Sequence, residues 1–567
     1  MTALLTDNLP LLAGAPNGIK KLRELILELA VRGKLVRQDP SDEPASELLK
    51  RIAEEKAQLV EGGKIKRSKP LADINELDKP YELPAGWSWT TLPGAASYQI
   101  GKTPPTKESK FWDDSGLPWV SISDMEHYGE INDTARKVSM LAQQDVFKYP
   151  PVPAGTLLMS FKLTVGKVAM LAVDAYHNEA IISLSPFCGV SKDFLFRFLP
   201  SIALGGQQKN ALMGNTLNSE SMAQLLVPIP PLAEQHRIVA KVDELMALCD
   251  RLEAQQADAD SAHAQLVQAL LDSLTQARDA EDFVQSWQRL AEHFQTLFTT
   301  ESSIDALKQT LLQLAVMGKL VPQDPSDEPA NELLTRIAEE RARLVAEGKL
   351  KTQKPLAEIN ESEMSFELPL GWKWQRFADF ALDVSTGPFG SLIHQSDYVN
   401  GGVPLVNPSH MIDGRIVADS SVSLSIEMAA SLDSYRLSAG DIVMARRGEV
   451  GRAALVTEAE DGWLCGTGSF VLRFTSEISR AYVWTLFRCH SVRTYLAGAA
   501  VGTTMVNLNH GILLKMPIAV PPLAEQHRIV AKVDQLMSLC DQLKARLSQA
   551  RQVHEHLANA LVEQAVA

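Results

Sequence analysis

Residues 29–66 read LAVRGKLVRQDPSDEPASELLKRIAEEKAQLVEGGKIK, and residues 314–351 read LAVMGKLVPQDPSDEPANELLTRIAEERARLVAEGKLK. The match continues at a constant offset of 285 to ELPAGWSW and ELPLGWKW, with 42 of the 61 positions in 29–89 identical. A second block, PPLAEQHRIVAKVDELMALCDRLEAQ from Pro230, returns from Pro521 as PPLAEQHRIVAKVDQLMSLCDQLKAR at an offset of 291, with 21 of 26 positions identical. Repetition on this scale means one structural unit built twice. The change in offset falls between the blocks, in 93–228 and 378–517, where similarity drops to scattered points. The order is arm, variable domain and long helix, then the same three again.

Periodicity places the helices. Ile238, Val242, Leu245, Cys249 and Leu252 follow at steps of four and three, and Leu266 and Leu270 rejoin that register, the heptad seam of a coiled coil. Ile529, Val533, Leu536, Cys540, Leu543, Leu547, Leu557 and Leu561 repeat it. A helix over 232–274 is about 65 Å long at about 1.5 Å per residue, a spacer rather than a core helix. Each arm reads as two shorter helices, one marked by Leu22, Ile26 and Leu29 and stopped near Gly33, the other opening at Ser-Asp-Glu-Pro. The variable domains read as mixed α/β, with β-rich runs at Leu117–Ile122, Thr156–Met159 and Asp441–Met444 between Gly, Pro and Asn turns.

The expected fold is therefore α+β with a pseudo-twofold internal repeat: two mixed α/β domains separated by long antiparallel coiled-coil helices. Its segments are a helical arm (1–86), the first variable domain (87–229), a central helical region (230–371), the second variable domain (372–520) and a final helix (521–567). Packing of the last helix against the first arm makes the halves equivalent. Ile238, Val242, Leu245, Leu252, Ile529, Val533, Leu536 and Leu543 are the candidates for helix packing or partner contact. Trp87, Trp89, Trp372 and Trp374 read as anchors of arm to domain.

Composition sets the class. The chain has 567 residues, 45% hydrophobic and 22% charged, ordinary for a soluble globular protein. No basic residue precedes the apolar stretch near the N-terminus and no run of about eighteen apolar residues occurs, so neither a signal peptide nor a membrane span is expected, and a cytoplasmic location is. Five cysteines, without a CxxC pair, read as reduced thiols. The net charge of -14 argues at first against a nucleic-acid binder. However, 93–228 carries eleven Lys and Arg against twelve Asp and Glu, and 378–517 ten against thirteen, so these segments hold -1 and -3 and the other -10 lies outside them. Near-neutral domains of this kind point to a basic partner.

Catalytic signatures are missing. Gly101-Lys102-Thr103 resembles the end of a phosphate-binding loop, but position 96 is alanine and Pro104-Pro105 follows where a helix must begin. There is no GxGxxG after a strand, no HExxH, no GxSxG and no Asn/Asp-Pro-Pro-Tyr/Phe motif for a target amine. No catalytic residue, metal ligand or cofactor is expected. His236 and His527, one residue before Arg at the start of the long helices, read as helix-cap or partner-contact residues.

The positive candidates are for DNA. GTLLMSFKLTVGKVAML from Gly155 aligns with GDIVMARRGEVGRAALV from Gly440, setting Lys162 opposite Arg447 and Lys167 opposite Arg452, with Arg446 beside them. Lys and Arg hold phosphates, and Arg also reads guanine edges bidentately, although solvated surface charge explains many such clusters. Lys102 and Thr103, Ser385 to Gly387 with Gly390 and Ser391, Asn215 and Thr216, and Thr503 and Thr504 lie in polar loops suited to close approach to a backbone.

The chain resembles the specificity subunits of bacterial type I restriction-modification enzymes, on PPLAEQHRIVAKVD at the end of each variable domain, the paired LAVxGKLVxQDPSDEPAxELL arms and the paired ELPxGWxW entrances. The resemblance covers nearly its whole length. It implies two target-recognition domains reading a bipartite double-stranded DNA site with a non-specific gap, assembly with two DNA-adenine methyltransferase subunits, and two ATP-dependent restriction subunits joining them. It also implies a non-catalytic chain. Two other readings stay open: a self-contained DNA-modifying or DNA-cleaving enzyme, and a coiled-coil scaffold without a DNA function.

Overall fold

A computed structural model describes residues 9–63, 74–75, 79–208, 219–278, 280–388, 392–498 and 508–566. The chain divides into two compact units, Met1–Ala259 with Arg551–Ala567, and Asp260–Ala550. Each contains an arm, a variable domain, the first part of the long helix that follows that domain, and the last part of the other long helix.

In the first unit the arm helices Gly18–Val31 and Ala45–Glu61 turn Leu22, Leu25, Ile26, Leu29, Leu48 and Ile52 inward. They pack on Ile238, Val242 and Cys249 of the helix Leu232–Thr275, and on Ala558 and Ala565 of the helix Leu523–Val566. The last helix does pack on the first arm. His554 Nε2 lies 2.7 Å from the Leu11 carbonyl, and Arg23 reaches Asp250 and Glu253, each at 2.7 Å.

The second unit repeats these contacts. Ile529, Val533 and Cys540 share a core with Ile304, Leu307, Leu311 and Leu314 of the arm helix Glu301–Val316 and with Val267, Leu271 and Leu274. His263 Nε2 lies 3.2 Å from the Thr296 carbonyl, and Lys308 pairs with Asp541. One ion pair is inverted: Lys544 bonds Asp305 at 3.0 Å where the first unit places Glu253 opposite its arm.

The seam expected at Leu266 and Leu557 is corrected. Leu266 is 53% exposed, whereas Val267 is buried, and Leu557 is exposed next to buried Ala558. From Ile238 to Val267 is 29 residues, about eight turns of a straight α-helix at 3.6 residues per turn, whereas four heptads end one residue earlier. Over this distance the straight helical period displaces the heptad.

The variable domains share one topology. The first has a sheet ordered Ala96–Ile100, Ile181–Pro186, Leu157–Ser160, Val168–Leu171 and Gly129–Ile131, antiparallel except for its last pair. The second orders Asp383–Thr386, Ser469–Arg473, Ile442–Ala445 and Ala453–Leu455, all antiparallel. A smaller sheet in each has one parallel pair, Trp119–Val120 with Tyr176–His177 and Leu405–Val406 with Leu464–Cys465. Entry and exit strands pair antiparallel at the neck, Ser88–Thr91 with Leu226–Ile229 and Lys373–Arg376 with Pro517–Val520.

The repeated PPLAEQHR motif is the joint between these parts. Gln235 accepts from Ser191 N at 2.7 Å and donates to the Pro230 carbonyl at 3.0 Å, while Arg237 pairs with Asp42 of the arm at 2.6 Å. Buried Glu234 accepts from Gln38 at 3.2 Å. In the second unit Glu525 accepts from Gln323 at 3.1 Å and from Trp372 Nε1 at 2.9 Å, Gln526 accepts from Ser479 N at 3.1 Å, and Arg528 pairs with Asp327 at 2.6 Å. These bonds tie arm, domain and long helix together, which accounts for the identity of the motif. His236 and His527 are exposed beside it.

Candidate nucleic-acid interface

Each large sheet ends in the same hairpin loop. In the first domain, strands Leu157–Ser160 and Val168–Leu171 are joined through residues 161–167. Ser160 N donates to the Lys167 carbonyl at 2.8 Å, Gly166 N to the Ser160 carbonyl at 2.9 Å, and Lys167 N to Ser160 Oγ at 3.1 Å. The Ser160 hydroxyl also donates to the Thr164 carbonyl. In the second domain, Ala445 N donates to the Arg452 carbonyl at 2.7 Å and Gly451 N to the Ala445 carbonyl at 3.1 Å. Gly166 and Gly451 take φ of 81° and 84°, and Leu163 and Gly448 take 62° and 72°. The two loops share one backbone and differ in side chains, with Lys162, Leu163, Thr164 and Val165 facing Arg447, Gly448, Glu449 and Val450 in the alignment.

A second loop docks beside each hairpin. Phe161 N donates to the Ala180 carbonyl at 2.9 Å and Gly101 N to that of Ile181 at 3.3 Å. In the other domain, Arg446 N donates to the Gly468 carbonyl and Gly387 N to that of Ser469, both at 2.9 Å. Glycine is required at 101 and 387, because a Cβ there would lie 2.0 Å from the His177 carbonyl oxygen or 2.1 Å from that of Gly466. The loops that bear Lys102, Thr103, Lys162 and Lys167 are therefore neighbours in one domain, both joined to the strand Ile181–Pro186 or the loop before it. The structure likewise groups Arg446, Arg447 and Arg452 in the other.

Their states differ. Lys102 Nζ donates to the Val146 carbonyl at 3.0 Å, and Thr103 bonds Glu179. Lys167 Nζ reaches the Ile122 carbonyl at 3.3 Å, and Lys162 Nζ lies 5.3 Å from the Phe161 ring centre. Arg452 is committed to Glu449, whose carboxyl it holds below the usual range, and Arg493 approaches the same carboxylate at 3.6 Å. Arg446 lies 5.4 Å from the Phe470 ring centre, and burial draws its pKa down. Arg447 is exposed and makes no hydrogen bond or ion pair with the described residues. Burial pushes His177, beneath the first loop, down to about 4, so it adds no charge at neutral pH. Asn215, Thr216, Thr503, Thr504, Gly390 and Ser391 lie outside the described residues.

The helix-packing candidates Ile238, Val242, Leu245 and Leu252 pack with the first arm, and Ile529, Val533, Leu536 and Leu543 with the second. Sequence reasoning missed the Glu449 partner of Arg452, although an i, i+3 acid–base spacing was there to be read. It also missed Leu163, whose backbone conformation no composition signals. Among the described residues no helix is long and apolar enough to cross a membrane, and no cluster of His, Cys, Asp and Glu has the makings of a metal site.

Comparison with known proteins agrees with this duplicated architecture. The family model for the type I restriction modification DNA specificity domain matches twice, over residues 84–259 and 389–550. The chain is 37% identical to the type I restriction enzyme EcoEI specificity subunit of Escherichia coli, over 97% of this chain and 94% of that one. Identity to the EcoAI specificity subunit of the same organism is also 37%, over the same shares. Among solved structures, the HsdS subunit from Thermoanaerobacter tengcongensis aligns with 86% of this chain and 98% of its own at a TM-score of 0.39 and 19% identity. Two family domains and near full-length identity to curated members place the chain in the family of type I restriction-modification DNA specificity subunits.

Proposed function

We propose that residues 87–229 and 372–520 each read one half of a bipartite, asymmetric double-stranded DNA target, while the arms and long helices set the gap between the halves. One observation carries this reading: a single hairpin scaffold is built twice, closed by the same hydrogen bonds, and bears different side chains. Shared backbone with divergent side chains is what two readers of unequal half-sites require, because phosphate contacts fix position and base-edge contacts fix sequence. The long helices then act as a ruler, as dimer geometry sets half-site spacing in other DNA binders.

As a specificity subunit, the chain supplies recognition and not chemistry. Two DNA-adenine methyltransferase subunits dock on the helical connectors, two ATP-dependent restriction subunits join them, and the assembly works in the cytoplasm. The low positive charge of the variable domains fits partners that carry further phosphate contacts. A self-contained modifying or cleaving enzyme and a bare scaffold are not supported by the family match.

Exchange of residues 87–229 for the corresponding segment of the EcoEI subunit tests the division of labour. Mapping of methylated adenines should show one half-site altered, with the other half-site and the gap retained. Alteration of both half-sites would refute independent reading.

A further inference from the structure

Leu163 is 84% exposed, the highest value among the large apolar side chains of the described residues. It also sits at φ 62°, in the left-handed region where the Cβ crowds the following carbonyl. Glycine is the natural occupant of such a position, and the second domain has Gly448 there at φ 72°. The loop that holds it is closed at its base by hydrogen bonds: backbone bonds link Ser160 to Lys167 and to Gly166, and the Ser160 hydroxyl bonds the Thr164 carbonyl. Leu163 thus stands in water, at the tip of a hydrogen-bonded hairpin, in a conformation unfavourable to it. Among the described residues no core cluster includes its side chain. Tyr128 shows the contrast: also left-handed, at φ 62°, its ring packs on Phe196 and its hydroxyl donates to the Arg197 carbonyl.

Strain kept at an exposed position points to use. The same hairpin carries two cations, Lys162 next to the tip in sequence and Lys167 at the base of the loop, where its Nζ reaches the Ile122 carbonyl at 3.3 Å. Duplex DNA offers the complement: phosphates for the cations, and an apolar surface on the bases, in the thymine methyl of the major groove or in a base step that opens to a wedge. We propose that Leu163 is a base-contacting, specificity-determining residue of the first half-site, with no counterpart in the second because Gly448 occupies its place. This rests on the recognition reading above.

The test uses the complete chain co-expressed with its methyltransferase subunits, as wild type, Leu163→Gly and Leu163→Met. Methylated adenines are mapped, and binding is measured to oligonucleotides changed singly at each position of both half-sites. Leu163→Gly is expected to lower discrimination about ten- to hundredfold at a position of the first half-site, leaving the second half-site and the gap unchanged. Its thermal midpoint should not fall, because glycine suits the φ, and Leu163→Met should retain most of the discrimination. Unchanged discrimination in Leu163→Gly, or equal loss at both half-sites, would overturn the assignment. Absence of any split motif with the wild type would instead overturn the recognition reading itself.

Discussion

Replacing Glu525 by glutamine removes one acceptor from a buried junction without changing its shape. Glu525 is 1% exposed and receives two donors, Gln323 Nε2 at 3.1 Å on one oxygen and Trp372 Nε1 at 2.9 Å on the other. A glutamine keeps one oxygen and turns an NH2 toward the second donor, so one buried N–H is left unpaired, at a cost of about 1–3 kcal/mol. Loss of a buried charge returns part of this. The net expectation is a destabilisation of about 1–2 kcal/mol in the second unit, roughly 2–6 °C in midpoint. Burial raises the Glu525 carboxyl above its ordinary value of 4.5. The associated stability is present below that ordinary value and is lost as pH rises through the raised one. Glutamine does not titrate, so the advantage of the wild type over Glu525→Gln should shrink as pH increases across that window. Urea unfolding of both chains at a series of pH values measures the effect. Equal stability of the two chains, or an advantage that grows with pH, would refute the account of this junction.

Other expectations follow from the same geometry. Arg447→Ala should weaken DNA binding without lowering the thermal midpoint, reducing the salt slope by about one if Arg447 holds a phosphate, or costing about 1–3 kcal/mol at one base position if it reads an edge. Arg452→Ala should lower the midpoint too, because Glu449 loses its nearer partner and keeps only Arg493 at 3.6 Å. Gly448→Ala, at φ 72°, should destabilise by about 1–2 kcal/mol in thermal unfolding, while DNA selectivity at the first half-site stays as it was. Ile238→Ala and Ile529→Ala should each cost about 2–4 kcal/mol in urea unfolding, since both side chains are fully buried against an arm helix.

The repeat made most of the architecture legible. Two near-identical arms and two identical PPLAEQHRIVAKVD runs forced a duplicated unit, and the steps from Ile238 to Leu252 located the long helix and its buried face. The register failed near Leu266 and, in the second copy, near Leu557, where a straight helix departs from a heptad after several turns. Identity in the motif showed constraint but not its cause, because the partners of Glu234 and Gln235 lie far away in sequence, at Gln38 and Ser191. The cations of the candidate interface were readable as Lys162, Lys167, Arg446, Arg447 and Arg452. Which of them is free was not, since Arg452 is committed to Glu449 and Arg447 is not. Leu163 does not stand out in the sequence, and only its φ and exposure distinguish it.

On the proposed function, this chain chooses a split DNA sequence for a methyltransferase. Single-molecule mapping of methylated adenines across the host genome, with the gene intact and deleted, tests it most directly. Deletion is expected to abolish one asymmetric motif made of two unequal half-sites at fixed spacing. Retention of every methylated motif after deletion, in a strain whose methyltransferase subunits are expressed and active, would contradict it.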